Sequence, residues 1–258
     1  MIRYFCSGDI HSHFDIWMLA LKEKGFDINN ANHKVIVCGD VFDRGTQSVE
    51  CYEFITFLAE NDRLVYIRGN HEDLLFQCIS SLRRNKNIGH HHISNGTIKT
   101  LAQFMSCSEY DILCSCYDET VFEATVQELM QFIDYNSVDY FELGDKVFVH
   151  GWVPTTSDEE NHEIVHENWR DGDWSRARWE CGFDCWRCKL LPPDDKTVVC
   201  GHWHTSYGWS EFRGRSEWGP DAEFTTFIDN KIIAVDACTA YTHMINVVIF
   251  DEEGKLIE

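Results

Sequence analysis

No stretch of this sequence approaches the roughly 20 consecutive apolar residues that a membrane-spanning helix needs, so no membrane element is expected. Basic residues are scarce: 22 Lys and Arg stand against 43 Asp and Glu, a formal net charge of −21 at pH 7. That balance offers no basic footprint to a nucleic-acid polymer or an anionic bilayer. It does not exclude phosphate-bearing substrates, because a bound cation can dominate the field inside a site. The sequence has neither internal repeats nor low-complexity segments, and Met1-Ile2-Arg3-Tyr4-Phe5-Cys6-Ser7 lacks a signal-peptide layout. The 12 cysteines are therefore expected to stay thiols in a reducing cytosol, which makes a cytoplasmic location the expectation.

What is present is a globular composition, 44% hydrophobic and 25% charged over 258 residues, enough for a single domain with a sizeable core. Ile2–Ser7, Lys34–Cys38 and Leu64–Arg68 read as strands. Helical spacing follows each of them: Phe14, Trp17, Met18 and Leu21, then Val49 to Leu58, then Asp73 to Leu82. This alternation predicts an α/β fold with a mainly parallel sheet. Residues from about 85 to 136 read as a helical insertion, with helices over Ile98–Met105 and Val121–Ile133. A hairpin, Tyr140–Leu143 and Lys146–Val149, leads to His150. Residues 153–195 read as an irregular excursion rich in Trp and Cys. Thr197–Cys200, Phe224–Ile228, Lys231–Asp236 and Ile245–Phe250 complete the β-structure.

Each strand discharges into a polar packet: Gly8-Asp9-x-His11, Gly39-Asp40-x-x-Asp43-Arg44-Gly45, Arg68-Gly69-Asn70-His71-Glu72, His150, and Gly201-His202-x-His204. One Asp-x-His alone is commonly a turn, and one buried histidine is commonly a satisfied core residue. Five packets at five strand ends argue for one site. Asp, Asn and His are borderline-hard donors suited to Mn, Fe or Zn and less to Ca. Two ions about 3.5–4 Å apart need a shared carboxylate, and Asp40 lies between the other packets.

Taken together, these motifs resemble the calcineurin-like metallophosphoesterase superfamily from Asp9 to His204. Gly39–Gly45 with Arg68–Glu72 is most similar to its phosphoprotein phosphatase branch, including bacterial and phage serine/threonine phosphatases. The resemblance implies two mixed β-sheets flanked by helices, a four-layer α/β/β/α sandwich. It places Asp9, His11 and Asp40 on one divalent ion, Asp40, Asn70, His150 and His202 on a second, and His204 as an added ligand to the first. Mn is the expected metal, with Fe, Zn or Ni as alternatives. A metal-bridging hydroxide would attack phosphorus. Arg44 and Arg68 would hold phosphate oxygens, with Arg176 of Trp174-x-Arg176-x-Arg178 as the third arginine. His71 would protonate the leaving group and Asp43 would orient it. The implied activity is phosphomonoester hydrolysis, with phosphoserine/phosphothreonine protein as the favoured substrate. A hydrolase of diadenosine polyphosphates or related nucleotides is the alternative, followed by a cyclic nucleotide phosphodiesterase or a non-catalytic binding protein. The last has no need of His71.

Two features fall outside that pattern. Cys181-x-x-x-Cys185-x-x-Cys188 is spaced like the iron–sulfur motif of radical S-adenosylmethionine enzymes, but only 70 residues follow it and they read as β-structure. Reduced thiols pinning a loop are the expectation, and His90-His91-His92 is read as structural or substrate-facing. Trp152 follows His150-Gly151, where it either shapes the site mouth or serves only as packing, and with the tryptophans at 169–186 it is a candidate surface for stacking bases.

Overall fold

The computed structural model describes residues 1–84 and 88–257. The three leading apolar runs form β1 (Arg3–Ser7), β2 (His33–Cys38) and β3 (Leu64–Ile67). They are joined by α1 (Phe14–Glu23) and α2 (Ser48–Glu60), and β3 leads into α3 (Asn70–Arg83). β1–β2 and β2–β3 are parallel pairs, which helical crossovers make possible. Four helices follow: α4 (His90–Ser94), α5 (Thr97–Phe104), α6 (Glu109–Leu113) and α7 (Glu119–Asn136). The expected start of this insertion, at residue 85, lies outside the described residues. β4 (Ser137–Val138) continues from α7, and β5 (Phe141–Leu143) and β6 (Lys146–Phe148) form an antiparallel hairpin. The excursion at 153–195 is less irregular than its composition suggests. It carries the hairpin β7 (Thr155–Ser157) and β8 (Glu163–Val165) and two short helices, α8 (Trp174–Ala177) and α9 (Gly182–Arg187). The chain then runs through β9 (Thr197–Cys200), α10 (Thr205–Arg213), β10 (Phe227–Asp229), β11 (Ile232–Ala234), α11 (Thr239–Thr242) and β12 (Val248–Asp251).

Two mixed five-stranded sheets result, ordered β12-β1-β2-β3-β4 and β10-β11-β9-β6-β5. Side chains alternate across each strand. Cys6, Ile36, Ile67, Phe148, Val199, Ile233 and Phe250 meet between the sheets. Their neighbours Phe5, Val35 and Val37 point outward into a core shared with α1, α2, α3, α5 and α7. On the other side Val147, Val198 and Ile232 pack with Trp152, Trp169 and Phe183. Both faces of both sheets are covered, which is why the strands read as nearly continuous apolar runs. The layers are α/β/β/α.

Candidate active site

Six strand ends converge. Asp9 and His11 follow β1, Asp40–Arg44 follow β2, Asn70–Glu72 follow β3, His150 follows β6, His202 and His204 follow β9, and Asp236 follows β11. β6, β9 and β11 are mutually parallel like β1–β3, so the sandwich turns matching strand ends into one cavity of about 370 Å³. The loops there are tight: Asp9, His11, Asp40, Asp43, Arg44 and His202 all have φ between 50° and 73°. A left-handed non-glycine residue costs roughly 1–2 kcal/mol, and such strain persists where the surroundings over-determine it. Glycine supplies the closest approaches. A Cβ on Gly39 (φ +81°) would lie 2.4 Å from His150 Nδ1, and one on Gly69 would lie 2.2 Å from Asp40 Oδ1.

Asp40 is central. Its Oδ1 is 3.3 Å from His150 Nε2, and its Oδ2 is 3.9 Å from His11 Nε2 and 3.8 Å from His71 Nε2. Two groups of ligand atoms share it: His11–Asp40–His71 and Asp40–His150–His202. The histidines are oriented from behind. His11 Nδ1 lies 3.1 Å from the Phe42 carbonyl and His150 Nδ1 2.7 Å from the Cys38 carbonyl. A carbonyl only accepts, so each Nδ1 carries the hydrogen and each Nε2 is left to face Asp40. Asn70 Oδ1 comes within 2.7 Å of His150 Nε2. The Asp9 carboxylate accepts the His202 backbone N–H at 2.9 and 3.0 Å.

Charge in this cavity is unbalanced in a way that suits a cation. Burial, then Asp236 and Asp40, push Asp9 well above the usual carboxylate range, and burial raises Asp236 to about 6. Burial also opposes charge on Asp40, but His150, His71, His11 and His202 outweigh it and hold the group low. Burial followed by His71 and Arg44 keeps His11 well below the usual histidine range, and burial with His150 takes His202 down to about 3. The imidazoles of His11 and His202, both held low, thus face the carboxyl oxygens of Asp40 and, with the Asn70 amide oxygen beside His150, make a donor set that fits divalent Mn, Fe or Zn.

Beside this cluster His71 Nδ1 donates to Asp43 Oδ2 at 2.8 Å. The same carboxylate accepts Thr97 Oγ1 at 2.9 Å and Thr100 Oγ1 at 2.8 Å, both from α5. Burial pulls the His71 imidazole down, but Asp40 and Asp43 outweigh it and raise its pKa above the ordinary value. His71 Nε2 then faces the cavity, with Arg44 Nη2 at 3.4 Å.

The profile of the calcineurin-like phosphoesterase family matches residues 2–206. The chain belongs to that family. A 112-residue stretch is 31% identical to the asymmetrical bis(5'-nucleosyl)-tetraphosphatase PrpE of Anoxybacillus flavithermus, covering 41% of this chain and 43% of that protein. An 87-residue stretch is 36% identical to the symmetrical bis(5'-nucleosyl)-tetraphosphatase of Buchnera aphidicola, covering 33% of this chain and 29% of that protein. The matched part thus spans under half the length of either relative. Among solved structures, a mutant cold-active protein tyrosine phosphatase superposes with a TM-score of 0.53 at 16% identity, covering 100% of this chain and 77% of the other. The cold-active protein-tyrosine phosphatase of a Shewanella species gives a TM-score of 0.50 at 13% identity, with the same coverage. At these identities the likeness is one of fold. No helix among the described residues is long and apolar enough to cross a membrane.

In this fold Asp9, His11, Asp40, Asp43, Arg44, Asn70, His71, His150 and His202 come together, whereas three other expected residues are engaged elsewhere. Arg68 donates to Asp73 and Asp134, each at 2.8 Å, and lies over the Phe76 ring. Arg176 is exposed and donates to Glu163 at 2.8 Å and Glu180 at 3.0 Å. The buried arginine of that motif is Arg178, held between Asp73 and Asp139. On so acidic a chain, carboxylates outnumber arginines and claim them. His204 lines the cavity, but Nδ1 sits 2.9 Å from Ser206 Oγ and Nε2 3.5 Å from Glu217. Of the two readings of Trp152, packing is the one the fold bears out: the side chain is fully buried, with Nε1 donating to the Leu190 carbonyl at 2.6 Å. Trp169 and Trp174 are likewise core, whereas Trp179 lines the cavity. Cys185 is buried in that core and Cys188 is exposed. Among the described residues, the metal-ligating groups that converge are the two sharing Asp40.

Glu72 was legible as part of a motif but not by its task. Its Oε2 accepts the Gly69 and Asp40 amides at 2.8 and 3.1 Å, and Oε1 accepts the Val41 amide at 3.0 Å. It starts α3 at Asn70, three residues earlier than periodicity suggests, and fixes the β2 loop at the same time. Glu72→Ala is expected to leave three buried amides unpaired and to lower the unfolding free energy by about 3 kcal/mol or more in urea titration. A loss under about 1 kcal/mol would mean other groups satisfy those amides.

Proposed function

We propose that this protein is a metal-dependent hydrolase of phosphoric esters, acting through two divalent ions held by Asp9, His11, Asp40, Asn70, His150 and His202. The observation that carries this reading is the pair of ligand groups sharing Asp40 beside a His71–Asp43 pair. Bound there, divalent cations supply an acidified water as nucleophile and neutralise charge developing on the phosphoryl oxygens. The chain's own residues do the rest. Arg44 holds a phosphoryl oxygen through its guanidinium. As the new P–O bond forms and the old one breaks, the proton on His71 Nε2 passes to the departing oxygen. Asp43 fixes the ring with its other nitrogen protonated, and Thr97 and Thr100 fix Asp43.

Between phosphoproteins and nucleotides, the nucleotide reading has the better support. The two curated relatives described above are named as bis(5'-nucleosyl)-tetraphosphatases. Two of the three arginines expected to grip a protein phosphomonoester are engaged by carboxylates instead. A Mn²⁺-loaded assay with phosphopeptides, diadenosine tetraphosphate and cyclic nucleotides side by side is expected to favour the tetraphosphate. Faster turnover of a phosphopeptide would reverse the substrate assignment, and full turnover in excess chelator would sink the metal mechanism.

A further inference from the structure

The largest exposed apolar side chains near the site are indoles, and they are not scattered. Trp203, Trp218 and Trp179 all line the metal cavity, yet they are 38%, 48% and 48% exposed, unlike the core tryptophans. From the ligand His202 a row of rings runs along one wall. Trp203 is 6.0 Å from His202, and His204 lies 6.2 Å further on and within 18° of parallel to Trp203. Trp218 packs 4.7 Å from His204. Tyr241 buttresses Trp218 edge-on at 5.3 Å and 87°. Open indole faces held this firmly beside a polar site mark a ligand surface rather than core.

We propose that Trp203, His204 and Trp218 form a stacking subsite for the nucleobase of a substrate whose phosphate sits at the Asp40 cluster. The assignment rests on the phosphoester-hydrolase reading above and adds what part of the substrate this wall reads. A base suits it for three reasons. Its π-face needs no specific hydrogen bond to stack. It is uncharged, so a surface with a net charge of −21 does not oppose it. The rings begin at a metal-ligand candidate, which places a stacked group within a sugar's reach of the phosphate. It also accounts for His204 being tied to Ser206 and Glu217: in this chain the second histidine of Gly-His-x-His serves the wall.

The test is calorimetric titration of the Mn²⁺-loaded protein with AMP, ribose 5-phosphate and phenyl phosphate. AMP is expected to bind about 5- to 150-fold more tightly than ribose 5-phosphate, the range for stacking one base. Trp218→Ala and Trp203→Ala should each shrink that ratio at unchanged metal content and melting temperature, and Trp218→Phe should recover most of it. A wild-type ratio near one, or a ratio unmoved in both variants, overturns the proposal. So does phenyl phosphate binding as tightly as AMP, which would make the wall a site for any aromatic phosphate. If both alanine variants unfold, the wild-type ratios decide alone. Failure of the parent reading looks different: no Mn²⁺-dependent hydrolysis of any phosphoester, whatever the binding ratio.

Discussion

Asp40→Asn is expected to lower phosphoester hydrolysis by on the order of 10³-fold or more and to remove both metal ions rather than one. The first figure follows from cation stabilisation of the transition state, several kcal/mol in size, at about 1.4 kcal/mol per tenfold. The second follows from geometry. Asp40 is the residue common to both ligand groups, with one oxygen toward His150 and the other toward His11 and His71. Asparagine keeps the shape and can still accept the His71 backbone N–H, which Asp40 Oδ1 receives at 3.0 Å, so the loop should stay folded. His11→Ala and His202→Ala each touch one group and should cost one ion. Metal counted by mass spectrometry after dialysis separates the cases. Two ions retained in Asp40→Asn, with activity within tenfold of wild type, would rule out a shared ligand.

That such a prediction can be written owes much to the local character of the signal. Gly39–Gly45 carries a bridging candidate, an acid's partner and a phosphate-binding arginine within seven residues, so their spacing survives in the linear sequence. The strands are legible for a related reason: sheets covered on both faces need unbroken apolar runs such as Val35–Cys38. What folding adds is long-range. Thr97 and Thr100 reach Asp43 across 54 and 57 residues, and a threonine on a helix has no local mark of that task. Asp236 is a single carboxylate at the end of an apolar run, without a neighbouring histidine to flag it. The tryptophans make the point most clearly. Trp152 follows a glycine and Trp218 precedes one, yet the first is sealed under Leu190 and the second opens on the cavity. Arg68 shows the converse: its motif is local, but the carboxylates it meets, Asp73 and Asp134, depend on how α3 and α7 pack.

His71→Asn should slow turnover by about 10²–10⁴-fold, the usual contribution of a positioned general acid, and the loss should depend on the leaving group. A poor leaving alkoxide needs the proton from Nε2, whereas p-nitrophenolate departs largely without it, so p-nitrophenyl phosphate should lose least. The pH dependence adds a second signature. Asp40 and Asp43 more than offset burial and raise the His71 pKa above its ordinary value. The protonated, active ring is therefore present below that raised value, and activity falls as pH rises through it. Asp43→Asn removes one of the two supports and should move this alkaline limb to lower pH while the metal content stays at two. Metal content also exposes the rival role. His71 Nε2 is 3.8 Å from Asp40 Oδ2, and its ring stands edge-on to His11 at 4.8 Å, close enough for the ring to act as a ligand. If His71→Asn loses an ion, His71 binds metal; if it slows good and poor leaving groups equally, the proton donor must be sought elsewhere in the cavity.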